Sequence, residues 1–102
     1  MAYDSILDAL GDPTRRRIME TLRAGPMAVS ELARTQSVSR PAVSQHLKTL
    51  AEAGLVSVQV RGTRRIYAIR REAMLDLRGW LDSFWSEVLA AYSAEIDRKF
   101  GN

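Results

Sequence analysis

The stretch VSELARTQSVSRPAVSQHLKTLAEAGLVSVQVRGTRRIYAIRR, residues 29–71, changes its hydrophobic period once. Up to Gly54 the apolar residues recur every three or four positions, which is the spacing of a buried helix face. Beyond Gly54 they alternate with polar residues and the chain turns at Gly62-Thr63, which is typical of a β-hairpin. The sequence therefore predicts a helix-turn-helix over residues 30–53 and a hairpin over residues 55–70.

Capping residues mark the ends of the two predicted helices. Ser30 stands at the N-cap position of the first helix, which is expected to end near Gln36. Ser39 caps the second helix, and Pro41 lies within its first turn. Gly54 ends that helix in the left-handed conformation, which glycine adopts at the lowest cost.

Helices are also predicted on both sides of this stretch. Residues 3–10 form a short amphipathic helix, and Asp12-Pro13 caps and begins another that stops near Gly25. Residues 72–100 form one long helix. The expected fold is a single domain over residues 1–102, because a second domain would be too small to bury its own core. It is mainly α with a small β-hairpin: four helices, two strands and a fifth helix.

The long last helix has more apolar surface than one side of a small domain can cover. We therefore expect a partner subunit to cover part of it. One apolar row is Met74, Leu77, Leu81, Phe84 and Val88, and a second is Trp85, Leu89, Tyr92 and Ile96.

The charge is distributed unevenly along the chain. Residues 1–71 hold twelve Lys/Arg and six Asp/Glu, a net +6, whereas residues 72–102 hold three and six, a net −3. A basic first part and an acidic last part favour a polyanion as the partner of the first part, although such a run can also be only a solvated face.

The composition excludes several classes of protein. There is no cysteine and one histidine, His46, so disulfides, thiolate chemistry and zinc–cysteine clusters are absent. The sequence has no glycine-rich phosphate-binding loop, no Gly-x-Ser-x-Gly motif and no likely pair of catalytic acids. Nothing in it therefore indicates an enzyme. No apolar run reaches the roughly 18 residues of a membrane span. The first ten residues do not have the pattern of a signal peptide, so a cytoplasmic protein without membrane contact is expected.

The exposed face of the second predicted helix suits a DNA groove. It is polar and without acids until Glu52, whereas a face selected only for solubility usually includes them. Glutamine can pair with adenine and arginine with guanine, while lysine suits phosphate. The alternative is a simple solvent-facing surface. The face consists of Pro41, Ser44, Gln45 and Lys48, with Ser39 and Arg40 at its N-terminal end.

The hairpin tip and His46 are further candidates for DNA contact. Arg61, Arg64 and Arg65 surround the Gly62-Thr63 turn, and arginines suit phosphates and the narrow minor groove. The alternative is an edge hairpin protected from aggregation by its charge. His46 flanks Gln45 on its helix and suits either a phosphate contact or a packed hydrogen-bonding role rather than a metal.

Five short segments occur in a recognisable order: Ala9–Ile18, Glu31-Leu32-Ala33, Ser39–Leu47, Ala53–Val56 and Gly62–Tyr67. Together they resemble the ArsR/SmtB family of bacterial transcriptional repressors, from about residue 3 to residue 100. The resemblance implies a winged helix-turn-helix homodimer that binds an imperfect palindrome in a promoter, usually its own, and blocks transcription. It also implies a dimer interface made by the first and last helices, here Ile6, Leu7 and Leu10 with Leu81, Phe84, Trp85, Val88, Leu89, Tyr92 and Ile96.

The sequence departs from the family's metal sensors. The cysteines of one family site are missing from residues 31–36, and the histidines of the other are missing from residues 72–100. Zinc needs nitrogen or sulfur ligands for tight binding, so we expect no metal and no cofactor. The sequence identifies no effector. The aromatics Trp80, Phe84, Trp85 and Tyr92 suit either a small-molecule site or, preferably, the dimer core.

Two classes of function are therefore compared. The first is a dimeric repressor that binds double-stranded DNA, whose affinity should fall steeply with salt. The second is a winged-helix module that binds another protein, with little DNA affinity and weak salt dependence. A series of electrophoretic shifts at several salt concentrations separates them.

Overall fold

Residues 2–100 are described here from a computed structural model, apart from the side chains of residues 2 and 3. These residues form five helices and one small antiparallel sheet, which confirms the mainly helical class. The elements are α1 (Ala2–Ala9), α2 (Pro13–Leu22), β1 (Met27–Ala28), α3 (Val29–Thr35), α4 (Arg40–Glu52), β2 (Val56–Arg61), β3 (Arg64–Ile69) and α5 (Arg71–Phe100).

The sheet has three strands rather than the two of the predicted hairpin. β1 pairs with β3, Met27 opposite Tyr67 and Ala28 opposite Ile66, so the strand order is β1-β3-β2. A two-residue strand is too short for its alternation to appear in a sequence. The pairing ties the hairpin to the start of α3.

This third strand also moves the start of α3. The paired Ala28 has an extended backbone, with φ −75° and ψ 153°, and it is the N-cap residue of α3. Ser30 is therefore the second helical residue, and its prediction as the cap was wrong. The carboxylate of Glu31 takes part in the cap instead, since its Oε1 accepts a hydrogen bond from the Ala28 N–H at 3.3 Å.

The other predicted caps are present. The Asp12 carboxylate accepts hydrogen bonds from the backbone N–H groups of Thr14 at 2.8 Å and Arg15 at 3.1 Å, and the bond from Arg15 lowers the pKa of Asp12 most. Ser39 Oγ accepts from the Ala42 N–H at 3.3 Å. Gly54 ends α4 with φ +79°.

The core lies among α2, α3, α4 and the sheet. Its largest fully buried side chains come from each of these helices and from Leu55, directly before β2. The predicted stripe of α4 is present, because Val43, Leu47 and Leu50 are all fully buried. They fix which face of α4 remains in solvent. The fully buried set is Ile18, Leu32, Val43, Leu47, Leu50 and Leu55.

Ile6 of α1 also belongs to this core. It is 2% exposed within the single chain, so it leaves almost no surface for a second subunit, and its assignment to the dimer interface is corrected. The neighbouring Leu7, 38% exposed, keeps a free surface, and Leu10 is half-buried. Burial of Ile6 follows from the packing of α1 against α4 and α5.

The shape is elongated because α5 extends away from the core. The radius of gyration is 18.4 Å, compared with about 13 Å for a compact chain of this length. The first turns of α5 pack on the core through Ala73, Met74 and Leu77. All side chains from residue 81 to 100 are exposed, except the half-buried Glu95.

Candidate nucleic-acid interface

The polar face of α4 lies in solvent opposite its buried stripe. Ser44, Gln45 and Lys48 are exposed in the middle of the helix, and Ser39, Arg40 and Pro41 are exposed at its N-terminal end. A stripe at i, i+4 and i+7 in the core leaves the intervening residues outside. The helix therefore presents polar and basic side chains over about 14 Å, from Ser39 to Lys48, at 1.5 Å per residue.

The hairpin lies beside this face, so the two predicted segments form one surface. A groove between α4 and the sheet is lined by Pro41, Ser44, Gln45 and Lys48 of the helix. Its opposite wall consists of Val58, Arg65 and Tyr67 of the strands. Cross-strand pairing of Val58 with Tyr67 turns both toward the helix.

A smaller groove continues from the first toward the start of α3. It is lined by Ser30, Arg40, Ser44, Thr63, Arg64 and Arg65, together with the buried residues of the Ala28–Val29 junction. Sequence reasoning missed Ser30 as a site residue because it assigned that side chain to a cap. The signal was its position next to β1, which can be recognised only once the strand is known.

Arg64 is held by an acid of α3. Its Nη2 lies 2.7 Å from Glu31 Oε1, and both side chains are partly exposed. The turn before it is built on Gly62, whose φ is +64°. The tip is thus less free than a hairpin end projecting alone into solvent.

Two of the sequence candidates lie elsewhere. Arg61 lines neither groove, and its Nη2 donates to Gln59 Oε1 at 3.3 Å. His46 is half-buried and faces α2, where its Nδ1 lies 3.4 Å from Arg15 Nη1. Of its two expected roles, the packed hydrogen-bonding role fits this position.

Arg15 connects His46 to the rest of the helical core. Its Nε donates to the carbonyl of Ala9 at 2.5 Å, at the C-terminal end of α1. A cation at this end of a helix is favourable because unpaired carbonyls accumulate there. Arg15 thereby joins α1, α2 and α4 behind the exposed face of α4.

The far part of α5 forms a second distinct surface. Eight of its large apolar side chains from residue 81 onward are exposed. At 100° per residue they fall within an arc of about 160° on the helix. Trp80 and Phe84 stack with centroids 5.8 Å apart, and Phe84 meets Trp85 edge to face at 6.3 Å. The eight are Leu81, Phe84, Trp85, Val88, Leu89, Tyr92, Ile96 and Phe100.

Residues 2–100 lack the features of two other kinds of site. Within that range, no three His, Cys, Asp or Glu side chains are placed to hold one metal ion together. None of the helices in the same range is both long and apolar enough to cross a membrane. Metal independence itself stays a prediction.

Comparisons with known proteins agree on one family of regulators. The model of the arsR family of bacterial regulatory proteins matches residues 12–58. The HTH-type transcriptional regulator Rv2034 of Mycobacterium tuberculosis is 51% identical over 92% of this chain and 88% of its own length. The transcriptional repressor SdpR of Bacillus subtilis is 30% identical over 79% of this chain and 90% of its own.

Solved structures agree with these sequence relatives. An ArsR-like transcriptional regulator from Rhodococcus sp. RHA1 superposes with a TM-score of 0.81, at 28% identity, over 95% of this chain and 91% of that chain. The homodimeric winged helix-turn-helix DNA-binding domain Mb0332 of Mycobacterium bovis gives a TM-score of 0.68 at 27% identity, over 84% and 80%. These relatives are regulators rather than enzymes, and the chain belongs to the arsR family of bacterial regulatory proteins, with the winged helix-turn-helix fold.

Proposed function

We propose that this regulator is a homodimeric repressor that binds an imperfectly palindromic operator through α4 and the arginine-rich hairpin, its wing. The observation that carries the proposal is the shared groove, because Gln45 and Lys48 of α4 and Arg65 of the wing line the same open surface. A duplex contacts helix and wing together when they form one such surface.

The polar and basic side chains of this surface suit different parts of a DNA duplex. Gln45, exposed in the middle of α4, suits the paired donor and acceptor of an adenine edge. Ser44 beside it can donate to or accept from a base. Lys48, Arg40 and Arg65 supply positive charge to phosphates, which supports affinity for any sequence.

The proposed dimer is supported by the uncovered apolar arc of α5. A stable interface buries about 800 Å² per partner, with aromatic residues enriched at its centre. The aromatic cluster of Trp80, Phe84 and Trp85 begins such a surface, and Leu7 of α1 adds to the exposed apolar residues. We assign Leu7, Leu10 and the apolar residues of α5 to this interface.

Two-fold symmetry then sets the operator. A dimer presents two copies of α4, so the half-sites should be related by inverted repetition and lie about 34 Å, one helical turn, or a multiple of it apart. Occupying a promoter in this way blocks transcription, and the protein's own promoter is a natural target. The function places the protein with the chromosome in the bacterial cytoplasm.

The test begins with selection of bound fragments from the source genome. Affinity for a selected fragment is then measured by electrophoretic shift at several salt concentrations. The slope of log affinity against log salt should be about −5 to −9 for the dimer, since each neutralised phosphate contributes about −0.9. A flat slope and no preference for selected fragments would point to a protein partner instead.

The wing is tested by the double substitution Arg64→Ala and Arg65→Ala. Affinity should fall on every sequence, and the salt slope should become less steep by about 0.9 for each lost phosphate contact. Arg17→Ala with Arg23→Ala removes the same charge from two exposed positions, one in α2 and one directly after it, and serves as the matched control. Equal losses from both pairs would indicate a general charge effect rather than contact by the wing.

A further inference from the structure

The smaller groove combines three arginines with three hydroxyl groups. Arg40 and Ser44 come from α4, Ser30 from α3, and Thr63, Arg64 and Arg65 from the wing. Within residues 2–100, no acidic side chain lines this groove. Guanidinium groups only donate hydrogen bonds, so the groove fits a ligand that accepts hydrogen bonds and carries negative charge.

The ion pair at its edge shows how one arginine is held. Glu31 Oε1 accepts from the Ala28 backbone N–H at 3.3 Å and from Arg64 Nη2 at 2.7 Å. The backbone bond fixes the carboxylate, and the carboxylate in turn restrains Arg64. A guanidinium has five N–H donors, so the other donors of Arg64 are available to a second acceptor.

We propose that this groove binds one phosphate of the DNA backbone, with Ser30 and Arg65 contacting it and Glu31 positioning Arg64 at its rim. The proposal rests on the DNA-binding function proposed above and adds a contact from α3. A base edge carries no negative charge, even where it offers only acceptors as guanine does, whereas a phosphodiester offers acceptors and a negative charge together. The donors of this groove therefore match the phosphate better.

Glu31 acts on affinity in two opposite ways. Its charge repels a nearby phosphate, which lowers affinity. Its ion pair with Arg64, however, already restricts that side chain in the free protein, so less conformational entropy is lost when Arg64 binds DNA. The substitution Glu31→Gln would keep the acceptor for Ala28 and Arg64 without the charge. The two contributions can therefore be separated by substitution.

The Ser30 contact is tested with Ser30→Ala on a duplex obtained by the selection. Affinity should fall about three- to tenfold, the net contribution of one ordinary hydrogen bond made in solvent. The fall should be equal on selected and unselected duplexes, and the salt slope should not change because serine carries no charge. Ser57→Ala, an exposed serine of β2 away from the groove, is the matched control, and unchanged melting temperatures confirm that both variants are folded.

The phosphate itself is located with duplexes that each carry one neutral methylphosphonate linkage. Wild-type protein should lose affinity at every contacted linkage. At one shared linkage in each half-site, the neutral methylphosphonate should reduce the affinity of Ser30→Ala and of Arg65→Ala less than it reduces the affinity of the wild type. If no linkage is shared by the two variants, the groove does not bind a backbone phosphate.

The positioning role is tested by comparing Glu31→Gln with Glu31→Ala. Affinity should rise in Glu31→Gln and should be several-fold lower in Glu31→Ala than in Glu31→Gln, because only glutamine still holds Arg64. In an Arg64→Ala background the two variants should bind equally. Glu20→Gln, which removes one negative charge from exposed α2, controls for net charge. Equal affinity of the two Glu31 variants in the otherwise native protein would show that Glu31 only repels DNA.

Free phosphate distinguishes a backbone subsite from a general anion site. At constant ionic strength, inorganic phosphate should neither saturate the protein in calorimetry nor displace the duplex. Saturable, Arg65-dependent binding of phosphate would overturn the assignment to DNA. Absence of duplex binding altogether would overturn both the function and this inference, whereas normal duplex binding unaffected by Ser30→Ala would overturn only the inference.

Discussion

α4 and the far part of α5 are both exposed helices, but they expose opposite kinds of surface. α4 buries its apolar stripe completely within one chain and exposes serine, glutamine and lysine. α5 beyond Trp80 buries almost nothing and exposes aromatic and aliphatic side chains. The difference indicates that the apolar face of α4 is fully covered within one chain, so α4 offers a polar surface to a ligand. The apolar face of α5 is not covered by its own chain.

The largest effect is expected from a charge on the apolar arc of α5. Trp85, 50% exposed, should be covered in the dimer, and Trp85→Asp would bury an unpaired carboxylate there. Loss of a central aromatic contact costs about 2–4 kcal/mol at an interface, so the dimer should dissociate roughly 30- to 1000-fold more readily. Sedimentation equilibrium measures this change, and DNA affinity should fall with it.

The control for Trp85→Asp is Ser83→Asp, which places the same charge on the opposite side of α5. It should leave the subunit affinity unchanged. Monomers in both variants would mean that charge anywhere on α5 is harmful, and dimers in both would mean that the apolar arc is not the interface.

A smaller effect is expected from Gln45→Ala on α4. The change should cost about 1–3 kcal/mol on the cognate operator and little on random DNA, because only base contacts depend on sequence. Titration of both duplexes in parallel measures the difference. Gln59→Ala, on the opposite face of the hairpin, is the matched control, and equal losses on both duplexes would show that Gln45 does not contact bases.

A still smaller effect concerns the end of α4 and involves no ligand. Gly54 has φ +79°, and an added Cβ would meet only Arg70 Nη1 at 3.6 Å. The left-handed backbone is therefore the main cost of Gly54→Ala, about 1–2 kcal/mol in the free energy of unfolding. Urea denaturation measures it, and Gly79→Ala within α5, where φ is not positive and a Cβ meets nothing, should not destabilise the protein. Equal destabilisation by both would contradict the conformational argument.

No effect at all is expected from zinc. The single histidine contacts Arg15, and the carboxylates of α5 alone are poor ligands for a metal that prefers nitrogen and sulfur. Calorimetry with the purified protein should show no tight site, and zinc should not change the DNA affinity. Tight binding, or release of DNA by zinc, would make the protein a metal sensor of a new ligand type.

The parts of the fold that depend on local chemistry could be predicted from the sequence. The caps at Asp12 and Ser39, the left-handed Gly54 and the buried stripe of α4 each follow from residues within a few positions. The exposed face of α4 follows from that stripe, so most of the candidate site was accessible in this way.

The errors, and the contacts that the sequence did not predict, all depend on residues that are distant from one another in the chain. β1 exists because Ala28 pairs with Ile66, and this pairing determined both the true start of α3 and the position of Ser30. Ile6 is buried by helices distant in the sequence, and Arg64 is restrained by Glu31 of α3. Amphipathic spacing shows that a residue is covered, but not whether its own chain or a second chain covers it.

The connection between the wing and α5 is short and restrained. One residue, Arg70, separates the end of β3 from the start of α5, and its N–H donates to the carbonyl of Leu55 at 2.9 Å. A helix of the length of α5 extends about 45 Å. Because it is joined to the wing through a single residue, a small rotation at its first turn produces a large displacement at its far end. A tilt of about 10° at its root moves its far end by about 8 Å on that length. In the proposed dimer, the angle at which the two last helices cross would therefore set the separation of the two wings along a duplex.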